Sequence, residues 1–145
     1  MSATGKTLCP SAPHDAPHAQ IFAIVGGTME KPETAYLEKP MPMTAEFAKL
    51  AGPVAPEEVF RIASPCMGRG CGHFDGVKKQ CRLATKTVRL QPAVTAKLPP
   101  CPIRSSCRWW QQEGLNACLR CPEVVTDNHA PSDAARAAAD IGNIP

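Results

Sequence analysis

Eight cysteines in a chain of 145 residues are the groups best suited to carry chemistry here. Seven lie within residues 66–121, spaced Cys66-x4-Cys71-x-His73-x7-Cys81 and then Cys101-x5-Cys107-x10-Cys118-x2-Cys121-Pro122. Thiolates ligate zinc and iron–sulfur clusters, and two intervening residues let both sulfurs face one centre while the turn's N–H groups point at them. Cys101, Cys107, Cys118 and Cys121 are therefore one candidate cofactor-binding set. Cys66, Cys71 and Cys81, with His73 as a possible fourth ligand, are a second candidate metal set. Buried free cysteine can also be plain core, but seven in so short a segment exceed what packing recruits. Cys9, beside Pro10, reads as a spectator thiol, and His14, His18 and His129 read as solvated.

Two chemistries fit this constellation. In the first, the set from Cys101 to Cys121 holds one 4Fe-4S cluster and the other set holds a second cluster or a metal ion. A cluster is wider than an ion and tolerates irregular ligand spacing. In the second, each set closes a tetrahedral zinc site with no redox role. Zinc favours two short knuckles per ion, and only one C-x2-C is present, so iron–sulfur is the preferred reading. Cys118 to Pro122 resembles the C-x2-C and C-P elements of bacterial ferredoxins. The resemblance covers those five residues alone. The run C-x2-C-x2-C-x3-C-P is missing, so no fold is carried over from it.

The composition gives the cysteines a structural task as well. Of the apolar residues, 21 are Ala and only 26 are Leu, Ile, Val or Phe, while Pro reaches 16. So few large side chains bury too little surface for a broad core, and a metal or covalent staple is the usual remedy. The longest apolar run, residues 21–25, is far too short to cross a membrane. Residues 1–20 lack the apolar stretch of a secretory signal, which makes a cytoplasmic, reducing setting the expectation. There, metal ligation outweighs disulfide bonding.

The elements that must position these residues are short. Residues 20–25 predict a strand ended by Gly26-Gly27, with residues 34–37 returning as its hairpin partner. Thr44 caps a predicted helix through residue 50, and Pro56 starts a second one running to about residue 63. Residues 81–90 and 104–113 predict helices, the latter stopped by Gly114, and residues 115–120 a further turn. The expected fold is a small irregular α+β domain, mainly helical, Cys-rich and metal- or cluster-stapled, with flexible termini. Its expected parts are a disordered tail (1–19), a hairpin with short helices (20–63), the Cys-rich segment (64–126) and a polar C-terminal tail with an Ala-rich helix (127–145).

Charge divides the chain along the same line. Residues 61–120 carry eleven Lys and Arg against Asp75 and Glu113. Arg104, Arg108 and Arg120 flank the thiols, where positive charge would offset an anionic cluster. Lys78, Lys79, Arg82, Lys86 and Arg89 extend the basic surface toward an acidic redox partner. With Trp109 and Trp110 the same surface admits nucleic acid as a weaker candidate. Two adjacent helical tryptophans diverge by about 100°, so only one of them could stack on a base. No phosphate-binding glycine loop, dinucleotide fingerprint or CxxxCxxC is present, and an enzyme is not the leading expectation. The function expected is electron transfer or redox sensing for a partner enzyme. The alternative is a zinc-stabilised interaction module that binds an acidic protein or nucleic acid.

Overall fold

The computed structural model describes residues 7–27, 32–67, 71, 73–121, 124, 133, 136 and 138. Its centre is a four-stranded antiparallel sheet in the order β1-β4-β2-β3. The strands are β1 (Leu8–Cys9), β2 (Gln20–Gly27), β3 (Pro32–Pro42) and β4 (Phe60–Pro65). A small hairpin, β5 (Phe74–Asp75) with β6 (Gln80–Cys81), lies outside this sheet. The helices are α1 (Ala45–Leu50), α2 (Pro56–Val59), α3 (Arg82–Leu90), α4 (Arg108–Glu113) and α5 (Leu115–Cys118). Strand and helix take nearly equal lengths, so the fold is mixed α+β, and the expectation of a mainly helical domain is overturned.

The excess helix in that expectation came from residues 60–63. Pro56 does start a helix, but α2 makes a single turn, and from Phe60 the chain is strand. Side chains alternate faces along a strand. Phe60 and Ile62 enter one apolar cluster with Ile21 and Ala12, while Ala63 enters the other with Phe22 and Trp109. β4 pairs with β1 on one side and β2 on the other, and the two apolar clusters cover its two faces. That tertiary pairing outweighs weak local helix propensity.

A register shift between Ile21 and Ala23 bends β2 where it meets both neighbours. The bulge lets Phe22 and Ala23, consecutive in sequence, join the same cluster, while Ile21 faces the other. The helical layer covers the Phe22 face through α3, α4 and α5, and α1 covers the Ile21 face through Phe47. Thr44 caps α1 as expected, its hydroxyl accepting from the Phe47 N–H at 3.3 Å.

Residues 7–19 differ from the disordered tail expected of them. Leu8 and Cys9 pair with Pro65 and Ser64, the Ala12 N–H donates to the Ile62 carbonyl at 3.0 Å, and Leu8 and Ala12 are buried. The segment is further tied by Glu57. Its Oε2 accepts from the His14 backbone N–H at 2.6 Å and meets His14 Nδ1 at 2.7 Å. Of the expected Ala-rich helix, Asp133, Arg136 and Ala138 are helical; its other residues lie outside the described ones.

Two predictions follow from these ties. Burial pushes the Glu57 carboxyl up, but the two His14 contacts outweigh it and hold it below its ordinary value of 4.5. A lowered carboxyl stabilises the fold above its unfolded value, and that stability is lost as pH falls through the native one. The stability gap between wild type and Glu57→Gln should thus be full at neutral pH and close below about pH 4.5 in thermal unfolding. Gly114 turns α4 into α5 at φ 65° and ψ −145°, a region closed to side chains. A Cβ there meets nothing within 4 Å, so the cost is conformational alone. Gly114→Ala should lose about 1–3 kcal/mol in denaturant unfolding.

Candidate metal centre

The loops and helix ends that follow β4 bring the thiols onto the Phe22 face of the sheet. Cys101, Cys107, Cys118 and Cys121 line one chamber, together with Phe22, Tyr36, Arg104 and Trp109. The enclosed cavity is small, about 20 Å³, room for about one water. Each thiol arrives from a different local device. Cys101 sits in a proline-bounded turn, Cys107 precedes α4, Cys118 ends α5, and Cys121 lies one turn further on.

Burial raises the pKa of Cys101, Cys107 and Cys118 along this wall. Cys107 is pushed up to about 12 and Cys101 to about 11. Cys118 is also raised by burial, against the pull of Arg104. Backbone N–H groups of Trp110 and Trp109 act in the other direction on Cys107, as does that of Ile103 on Cys101. The thiols also raise one another: Cys121 acts on Cys101, Cys107 and Cys118, and Cys101 on Cys107. Mutual influence of this kind places all four within electrostatic reach. A thiol held this high is a poor nucleophile, which speaks against covalent catalysis by these residues.

Arg61 makes the chamber unusual. It projects from β4, is fully buried, and lies 5.1 Å from the Phe22 ring centre. Its Nη1 donates to the Cys121 carbonyl oxygen at 2.8 Å and to Cys121 Sγ at 3.2 Å, and Nη2 donates to the Pro10 carbonyl at 3.0 Å. Burial alone would lower the guanidinium, yet the negative forms of Cys121, Tyr36 and Cys101 raise it instead. A buried permanent cation demands a buried anion nearby. With their pKa values raised by burial, the thiols would supply that anion only as thiolates held by a positive centre among them.

The second set assembles differently from the expectation. Cys66, Cys71 and Cys81 line a second cavity, and the fourth cysteine on its wall is Cys9, not the spectator that its position suggested. His73 is not on that wall. Its backbone N–H donates to Cys71 Sγ at 3.4 Å, and burial, then Lys86 and Arg82, lower its ring. Trp109 lines both cavities, is 2% exposed, and its buried Nε1 has no hydrogen-bond partner among the described residues. Trp109 therefore offers no ring to a nucleic acid, which leaves Trp110, partly buried and 5.8 Å from the Arg104 guanidinium. Gln112 ties the two regions together, accepting from the Cys81 N–H at 2.8 Å and donating to the Cys81 carbonyl at 3.0 Å.

The flanking cations also separate. Arg104 lines the first chamber and Arg108 the second, but Arg120 is tied to the Gln91 and Asn116 carbonyls at 2.7 Å each. Lys86, expected on the surface, is 2% exposed. Sequence reasoning missed Arg61, Tyr36 and Cys9. For Cys9 a signal existed: eight cysteines divide evenly into two fours. Among the described residues, no group of three or more His, Cys, Asp or Glu is placed to hold a metal ion.

If Arg61 neutralises thiolates in a dry setting, its loss is costly. Arg61→Met should destabilise the protein by about 3–5 kcal/mol, the range for breaking a buried charge pair. Arg61→Lys should recover only part, because an ammonium cannot span Cys121 and Pro10 at once. Equilibrium denaturation of the two variants measures both.

No protein-family model matches the chain, and no curated protein or solved structure is similar to it, so any reading of its function rests on the two thiol-lined cavities.

Proposed function

We propose that the protein is a small iron–sulfur protein for electron transfer or redox sensing, with a 4Fe-4S cluster held by Cys101, Cys107, Cys118 and Cys121. The observation that carries this reading is that four thiols line one chamber and a fully buried guanidinium donates to the Sγ of one of them, Cys121. Tetrathiolate clusters are anionic and suit such a site. The irregular spacing of these thiols, with a single C-x2-C, suits a cluster better than a zinc ion, which favours two short knuckles.

A cluster bound there would take up and release one electron at a time. The chain's own residues set the terms. Arg61 and Arg104 supply positive charge that favours the reduced state. Trp109 and Phe22 keep water from the sheet side of the chamber. The partner is an acidic redox protein, and its landing point is the tip of the β5–β6 hairpin, where Val77, Lys78 and Lys79 are exposed. Exposed charges there act over about 8 Å at physiological salt, enough to orient an encounter. No helix among the described residues is long and apolar enough to cross a membrane. The cytoplasm is the compartment that suits eight free thiols.

Anaerobic purification tests the reading. The wild type should be brown and carry at least about four iron and four sulfide per chain. Cys118→Ser and Cys121→Ser should each lose the centre and unfold at lower temperature, because metal binding energy is folding energy in so small a core. A colourless anaerobic protein with stoichiometric zinc overturns the proposal.

A further inference from the structure

The second cavity carries an inference of its own. Cys9 enters it from β1, Cys66 from the end of β4, Cys71 from the loop before β5, and Cys81 from β6. These elements are far apart in sequence, and their convergence is fixed by backbone bonds. Cys9 pairs with Ser64 across the sheet, and the Cys66 N–H donates to the Thr7 carbonyl at 2.9 Å. The Phe74 N–H donates to the Cys71 carbonyl at 3.1 Å, and Phe74 pairs with Cys81. All four thiols face the one cavity.

We infer that Cys9, Cys66, Cys71 and Cys81 hold a second iron–sulfur cluster, so that the chain carries two centres with Trp109 between them. The inference rests on the iron–sulfur reading of the first chamber, but on different residues. Four facts support a cluster over a packing role. The wall has four thiols, the number a cubane's four irons call for. The cavity is about 90 Å³, room for several waters, which close-packed core does not leave. Arg108 lines the cavity and lies 5.7 Å from the Phe74 ring centre, so a cation stands beside the thiols as Arg61 and Arg104 do in the first chamber. The Trp109 Nε1, buried without a partner, belongs to a ring that lines both cavities. With one-electron centres on either side of Trp109, the chain's capacity is two electrons.

The test is iron and acid-labile sulfide per chain in anaerobically reconstituted full-length protein. About eight of each are expected in the wild type, and half in Cys9→Ser and in Cys66→Ser, with His73→Ala unchanged. Cys9→Ser could also act by loosening β1, so Leu8→Ala serves as control: it weakens the same strand but should keep all eight irons. Loss of iron in Leu8→Ala equal to that in Cys9→Ser overturns the ligand assignment. So do four irons in both wild type and Cys9→Ser, a half-loss in His73→Ala, or one zinc per chain that Cys9→Ser releases. Each of these leaves the first centre standing. Failure of the first reading has a different signature: no iron in the wild type, or full iron in Cys118→Ser.

Discussion

A guanidinium with no exposure to water organises this molecule. Arg61 sits on the second strand from the sheet's edge, where an apolar side chain would satisfy packing at no electrostatic cost. Instead the strand buries a charge that cannot be discharged at any physiological pH. Its contacts reach Pro10, Cys121 and Phe22, three segments remote from one another in sequence. The N-terminal segment, the sheet and the last cysteine turn thus share one anchor. Dehydration makes that anchor costly unless negative charge accompanies it, so the thiols are part of the fold's electrostatics.

The rest of the architecture can be understood as the means of enclosing two thiol sets with little apolar material. The sheet offers mostly small residues toward them: Ala23 and Ala63 are fully buried there, and Ala84 and Ala117 face them from α3 and α5. Small residues allow close approach but contribute little burial energy each, at about 25 cal/mol per Å² of surface. Large groups are concentrated in a few positions, above all Trp109, whose ring fills the space between the cavities. The edge strand β1 binds the sets together from outside. Leu8 bridges to Cys107 of the first, and Cys9 belongs to the second. A two-residue strand is ordinarily marginal; here it touches both thiol sets.

What the sequence disclosed followed the range of the interactions involved. The β2–β3 hairpin, the Thr44 cap, α3 and the Gly114 stop are written in local signals, and all were legible. Cys101, Cys107, Cys118 and Cys121, grouped because they are close in sequence, line one chamber, being joined by short helices. Strand β4 was misread because its strand character comes from partners on both sides, not from its own residues. The wall of the second cavity differs in one member from the set grouped by sequence for the same reason. His73 was near in sequence, whereas Cys9 is near only after β1 has paired with β4. Arg61 was counted as one more charge in a basic segment, and no local pattern reveals that a strand buries it.

That last point changes how the basic segment works. Read as sequence, residues 61–120 are a single positive stretch of the kind that binds an acidic surface. In the fold the positive charge separates into two populations. Arg104 and Arg108 turn inward to the walls of the thiol cavities, Arg61 is buried against Cys121, and Lys86 is buried as well. Lys78, Lys79 and Arg89 remain exposed. Inner charges act through a medium that screens poorly, so their effect on the thiols is nearly insensitive to salt. Outer charges act through water and are screened by it. One stretch of sequence thereby sets the electrostatics of the thiol cavities and of the outer surface separately. Evolution can alter either population without disturbing the other, because they meet only through the backbone that carries both.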